Sequence, residues 1–197
     1  KRGPPSAGTV VGRYDYDSSG MRTSAADPSQ LTSEVRAYSG GQLMEHWANG
    51  SSTPQRFHQG PQGLHALDTG AHVGFYMHDR QGSVLGLSAS LGALVGQKRY
   101  GPFGELLSSA PSAPDLAGQA QGFTGHQHDA STGLLYAKAR FYAPELGIFL
   151  SEDPESGSPL DPRSMQRHLY AHSDPVNRLD PTGRSTEFIG QHSDTSG

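Results

Sequence analysis

The chain has 197 residues with 26 Gly, 14 Pro, no Cys and a net charge of −4, its acidic and basic residues scattered. That length suits one substantial domain or two small ones, the scattered charge offers no basic stripe to a nucleic acid, and the missing cysteines exclude a disulfide framework and a classical zinc ribbon. The most apolar run, Gly82 to Gly96, is broken by Gly and Ser and is too short to span a bilayer as a helix.

The first residue is Lys1 and no signal peptide follows, so the chain is expected to be a processed piece of something longer. Gly or Pro recurs before most segments reach three helical turns, which favours short strands. "TVVGRYDYD" alternates large and small side chains, and "EVRAYSGGQLMEHW" reads as two extended runs joined through Gly40-Gly41, a hairpin. "GFYMHDRQGSVLGLS", "QKRYGPFGELL" and "KARFYAPELGIFLS" follow the same plan. In each an aromatic-rich strand meets a turn closed by Gly and an apolar strand resumes, with Gly20, Gly82, Gly104 and Gly147 in equivalent places. Such hairpins cannot bury a face alone, so they build extended or closed sheets.

Ser108 to Gln121, "SSAPSAPDLAGQAQ", has small residues, Pro and no aromatic, and reads as a boundary or solvent loop. The expected division is therefore 1–107 hairpin repeats, 108–122 linker, 123–184 a second unit and 185–197 a polar tail, disordered unless docked. In the second unit His126 and His128 alternate as on one strand face beside Asp129, but no third ligand stands at a fixed spacing, so strand-surface or hydrogen-bonding roles fit better than a metal site. Tyr136, Phe141, Tyr142 and Phe149 alternate as core residues would, with a sugar-stacking platform as the lesser alternative. Arg140 is read chiefly as a cross-strand brace stacked on Phe or Tyr, with pairing to a carboxylate as the other option. No Gly-x-Ser-x-Gly elbow or phosphate loop is present.

Asp-Pro occurs at Asp27, Asp153, Asp161, Asp174 and Asp180. On local physics each is a turn: Pro fixes φ, Asp bonds the backbone two residues on, and in Asp180-Pro181-Thr182-Gly183 the Gly supplies positive φ.

The elements "YGPFGELL", "ARFY", "FLSEDP" and "PVNRLDPTG", in that order, closely resemble the Rhs repeat-associated core domain, and "YDYDSSGMR" resembles the Tyr-Asp repeat of Rhs proteins. The likeness is specific from Phe123 to Gly183, extends in looser form over Val73 to Leu107 and is weak before that. It implies an all-β fold in which twisted hairpin repeats form part of a hollow β-shell with a C-terminal plug. In that family the shell encloses a toxic C-terminal segment and the core is an aspartyl autoprotease cutting just after its Asp-Pro-x-Gly-Leu motif. Members include bacterial polymorphic toxins, C subunits of insecticidal toxin complexes and teneurin-like adhesion proteins. By position Asp180 falls on the motif aspartate and Asp153 on the upstream one, giving Arg184-Ser185 as the scissile bond. Two adjacent carboxylates cannot both ionise cheaply, which suits acid and base work.

The resemblance also implies no cofactor, partners in upstream repeats and an enclosed payload, and a secreted or cell-surface location. This chain has Arg184 where the family prefers Leu or Met, Gly101 and Ala143 where a turn aspartate is usual, and a longer Asp153 to Asp180 interval that adds Asp161 as a third carboxylate. The competing expectation is a non-catalytic module that presents loops to a protein or glycan at the cell surface and keeps the motif as a relic.

Overall fold

The computed structural model describes residues 13–27, 32–39, 42–48, 51–60, 63–111, 121–129 and 132–189. Ten strands follow one another as an antiparallel meander in sequence order: β1 (Arg13–Tyr16), β2 (Arg22–Asp27), β3 (Thr32–Ser39), β4 (Gln42–Trp47), β5 (Gln55–Gly60), β6 (Gly63–Asp68), β7 (Val73–His78), β8 (Val84–Ala89), β9 (Leu94–Tyr100) and β10 (Leu106–Pro111). A second sheet joins β11 (Gln127–His128), β12 (Leu135–Tyr136), β13 (Phe141–Ala143) and β14 (Ile148–Phe149), and a ribbon joins β15 (Arg178–Leu179) to β16 (Glu187–Phe188). The all-β expectation holds, with hairpins where the aromatic and Gly pattern put them. Gly40 and Gly41 lie outside the described residues, but Ser39 pairs with Gln42 across them.

One expectation is corrected. Ser108 to Pro111, read as the start of a linker, belong to β10 and pair with β9, because backbone pairing on an exposed edge needs no aromatic side chain. The polar tail, expected to be disordered unless docked, carries a paired strand at Glu187–Phe188.

The turns repeat one hydrogen-bond plan. Asp17 N–H donates to Met21 O and Gly20 N–H to Asp17 O; Asp79 with Ser83 and Gly82, and Gly101 with Glu105 and Gly104, do the same. Gly20, Gly82, Gly104 and Gly147 all have positive φ, 81°, 80°, 91° and 69°, which explains Gly at that place. The Asp17 Oδ1 accepts from the N–H of Ser19 and Met21, and the Asp79 Oδ1 from those of Gln81 and Ser83. At Gly101 the carboxylate comes from the other side of the turn: Glu105 Oε2 accepts from Phe103 N–H at 3.0 Å. The register also shifts at one point within each of the β1–β2, β3–β4, β5–β6, β7–β8 and β9–β10 hairpins, and such bulges add twist.

One apolar cluster, Leu43, Phe57, Leu64, Leu67, Tyr76, Val84 and Leu87, lies under the meander. Another gathers Phe123, Leu135, Ala137, Tyr142, Phe149, Tyr170 and Ala171, with the Tyr142 and Tyr170 ring centroids 4.5 Å apart. Tyr136, Tyr142 and Phe149 are buried and Phe141 is half-buried, so these aromatics are core and no sugar-stacking platform forms from them. The sheets are joined through Arg22, fully buried between the rings of Tyr14 and Tyr136, which donates to Asp129 Oδ2 at 2.9 Å. Asp129 is thereby committed to an ion pair instead of a metal beside His128.

Candidate functional site

The residues Asp180 to Ser185 bend with Gly183 at φ 71° in the place of Gly20 and Gly82, sharing the side-chain bonding of the repeat turns but not their pair of backbone bonds. Its Asp180 Oδ1 accepts from the N–H of Thr182 at 3.3 Å and Arg184 at 3.0 Å, the pattern of Asp17 and Asp79, and additionally from Ser185 N–H at 3.2 Å. The turn packs against the bend Ala137–Arg140: Ala139 N–H donates to Thr182 O at 3.1 Å, and a Cβ on Gly183 would run into the Ala137 carbonyl oxygen. A side chain at 183 is therefore excluded twice, by φ and by this close approach.

Arg140, leading into β13, is buried and uses its whole guanidinium at this turn. Its Nη2 lies 2.7 Å from Asp153 Oδ2 and 3.2 Å from Asp180 Oδ2. Its Nη1 donates to Arg167 O at 2.9 Å and its Nε to Gly183 O. The group stacks 3.7 Å from the centroid of Phe149. Both roles weighed for Arg140 are thus present at once. The two aspartates marked by position are brought to a single nitrogen although 26 residues separate them in sequence, because β14 ends just before Asp153 and β15 just before Asp180. Asp153 is anchored by its N–H to Arg167 O at 3.0 Å, and its Oδ1 accepts from Glu155 N–H.

Burial separates Asp180 from the exposed Asp17 and the half-buried Asp79. Asp17 makes comparable backbone bonds in the open, and these, led by the Ser19 hydroxyl, hold its carboxyl below the usual range. Asp180 is 1% exposed, and burial outweighs the lowering effect of the Ser185, Arg184 and Thr182 N–H groups and of Arg140, so its carboxyl is pushed up. The same side-chain pattern therefore holds a carboxyl below the usual range on the surface and above it inside. His126 backs onto the Asp180 backbone; burial first, and then Lys138, pull its imidazole down to about 4, against the opposing pull of that backbone.

The remaining candidates fall away from this cluster. Asp161 caps a short turn by accepting from Arg163 N–H at 3.2 Å and faces His172, and Asp174 accepts from Asn177 Nδ2. His126 is buried just before β11 and His128 is half-buried on it, and among the described residues no three His, Cys, Asp or Glu side chains are grouped to hold a metal. Arg184 points outward, half-exposed, with its Nη1 3.9 Å from Glu155 Oε1, so the Leu preferred by the resemblance is replaced by a charged side chain over a charged neighbour. Arg167 was not singled out as a site residue; nothing in its local sequence marks the carbonyl that receives Arg140.

The family model described as Teneurin YD-shell matches residues 62–176. The tRNA3(Ser)-specific nuclease WapA of Bacillus spizizenii is 27% identical over 170 residues, covering 86% of this chain and 6% of that protein. Toxin protein Tse5 of Pseudomonas aeruginosa is 34% identical over 114 residues, covering 57% and 8%. The chain thus spans only 5–6% of the length of the WapA relatives it matches. A crystal structure of TcdB2-TccC3-Cdc42 superposes with a TM-score of 0.69 at 20% identity over 88% of this chain and 9% of that one. A Photorhabdus luminescens Tc holotoxin pore gives 0.56 at 18% identity over 88% and 10%.

Proposed function

We propose, from the fact that this chain belongs to the teneurin YD-shell family, that it is the closing part of a toxin-associated shell and cuts itself between Arg184 and Ser185. The observation that carries this reading is the position of Asp180: one carboxylate oxygen meets the Ser185 N–H of the bond to be cut, while the other shares Arg140 with Asp153. Asp153, whose side chain keeps 18% exposure against 2% for Asp180, is the group open to a water and serves as base. Water adds to the Arg184 carbonyl carbon and loses a proton to Asp153. Asp180, the carboxyl that burial favours protonated, gives its proton to the Ser185 nitrogen as the C–N bond breaks. Arg140 orients both carboxylates and, through Gly183 O, the peptide just before the cut.

On this reading 13–111 is shell wall, 121–184 the plug, and the segment after Ser185 leads to the payload. The toxin names among the relatives support a secreted or delivered protein, partnered by further repeats and other toxin subunits. One observation favours the alternative of a non-catalytic surface module: Asp180 Oδ1 is saturated by backbone N–H groups, as a purely structural turn would have it. Intact masses of the wild type and of Asp180→Asn after matched incubation separate the two. Loss of Ser185 to Gly197 from the wild type alone is expected; full-length wild type at every pH tried would refute self-cleavage.

A further inference from the structure

We infer that the residues after the cut form a strand latch, so that cleavage does not by itself release the new end. This rests on the self-cleavage reading for its trigger, but the docking is a separate feature of the fold. Glu187–Phe188 pair antiparallel with Arg178–Leu179, and Ile189 N–H donates to Asn177 O at 2.9 Å. The Arg178 guanidinium lies 4.1 Å from the centroid of Phe188 and is steadied by His172 Nδ1 at 3.0 Å. Ser185 N–H, two residues before the strand, sits on Asp180 Oδ1.

Hydrolysis changes the chemistry of that last contact and leaves the others intact. Water supplies OH to the Arg184 carbonyl carbon and H to the Ser185 nitrogen. At neutral pH the products are a carboxylate on Arg184 and an ammonium on Ser185, since an α-amino group titrates near ~8. A neutral amide donor 3.2 Å from Asp180 thereby becomes a cation at the same place, and the hydrogen bond becomes charge-assisted, about twice as strong as a neutral one. The occupant of the β15 edge is the released segment itself, held at its amine by Asp180, at Phe188 by Arg178 and at Ile189 by Asn177. Bond breaking and departure are then two events, and departure requires stripping β16 from β15.

The test is native mass spectrometry and gel filtration of the self-cut chain at pH 7, beside Ile189→Pro, which removes the donor to Asn177 without touching the two aspartates. The Ser185 to Gly197 fragment is expected to stay with the body in the wild type and to leave roughly tenfold faster in Ile189→Pro, the size of one backbone hydrogen bond. A fragment that leaves the wild type as soon as it forms would overturn the latch while keeping self-cleavage. If the chain never cuts, amide exchange on the intact protein decides: slow exchange at Ser185 and Ile189 supports the docked strand although the cleavage reading has failed. Exchange at the rate of an unstructured chain overturns it.

Discussion

Replacing Asp180 by Asn and by Ala separates its charge from its role as a backbone acceptor. Asn keeps an Oδ1 for the N–H groups of Thr182, Arg184 and Ser185. It gives up the bond to Arg140, but Arg140 Nη2 retains Asp153 at 2.7 Å, and the cost of burying a carboxylate disappears. Loss of a charged hydrogen bond, about 2 kcal/mol, is therefore largely offset by that relief, leaving about 1 kcal/mol of destabilisation. Ala removes the acceptor as well, and three further bonds at about 1 kcal/mol each bring its cost to roughly 4 kcal/mol. At about 3 °C per kcal/mol for a chain of this size, melting temperatures should fall by about 3 °C for Asn and about 12 °C for Ala, measured by calorimetry. On the self-cleavage reading, neither variant is expected to cut. If Asn proves as damaging as Ala, the ion pair with Arg140 holds the turn and the backbone acceptor account is wrong.

His126→Gln tests a pH dependence of known sign. A histidine whose folded pKa of about 4 lies below its usual 6.5 supports the fold above 6.5 and withdraws that support as pH falls through 4, about 3 kcal/mol in all. Melts from pH 7 to 4 should lose stability less steeply in Gln than in wild type; parallel slopes would refute this. Asp180 works in the opposite direction in both proteins, since its raised pKa favours the fold at low pH, and the comparison cancels it. Gly183→Ala, with φ 71° and the Ala137 carbonyl in the way, should undock the turn, seen as faster amide exchange at Ala139, whose N–H bonds Thr182 O. Arg22→Met should cost about 3–5 kcal/mol by removing one member of a buried ion pair, and chemical denaturation would measure it.

The hairpins were legible because aromatic alternation and a turn Gly report local backbone states. Gly20, Gly82, Gly104 and Gly147 needed no knowledge of the rest of the chain. Asp153 and Asp180 were legible only by their place in a motif, since five Asp-Pro pairs look alike locally. Arg140 as the common partner was half-visible: its stacking on an aromatic follows from "ARFY", but its reach to both carboxylates depends on where β14 and β15 end. The pairing of Arg22 with Asp129, 107 residues apart, has no local signal at all. The strand character of Ser108 to Pro111 was hidden because partners at an edge are chosen by backbone, while composition there resembles a linker.

Glu105 shows what a turn of this kind inherits. At Asp17 and Asp79 the carboxylate precedes the bend, whereas at Gly101 it follows it, reaching back on a longer stem to the same N–H two residues into the turn. A Cβ at 101 would meet that carboxylate, but it is the free end of a flexible side chain that can swing away, so Gly101 and Glu105 share the acceptor position without locking each other. An Asp introduced at 101 would displace the Glu105 carboxylate and is expected to take over its bond to the Phe103 N–H. The N–H two residues into the turn can thus be served from either side of the bend, and the acceptor can pass from one side to the other through single replacements that each leave the turn closed.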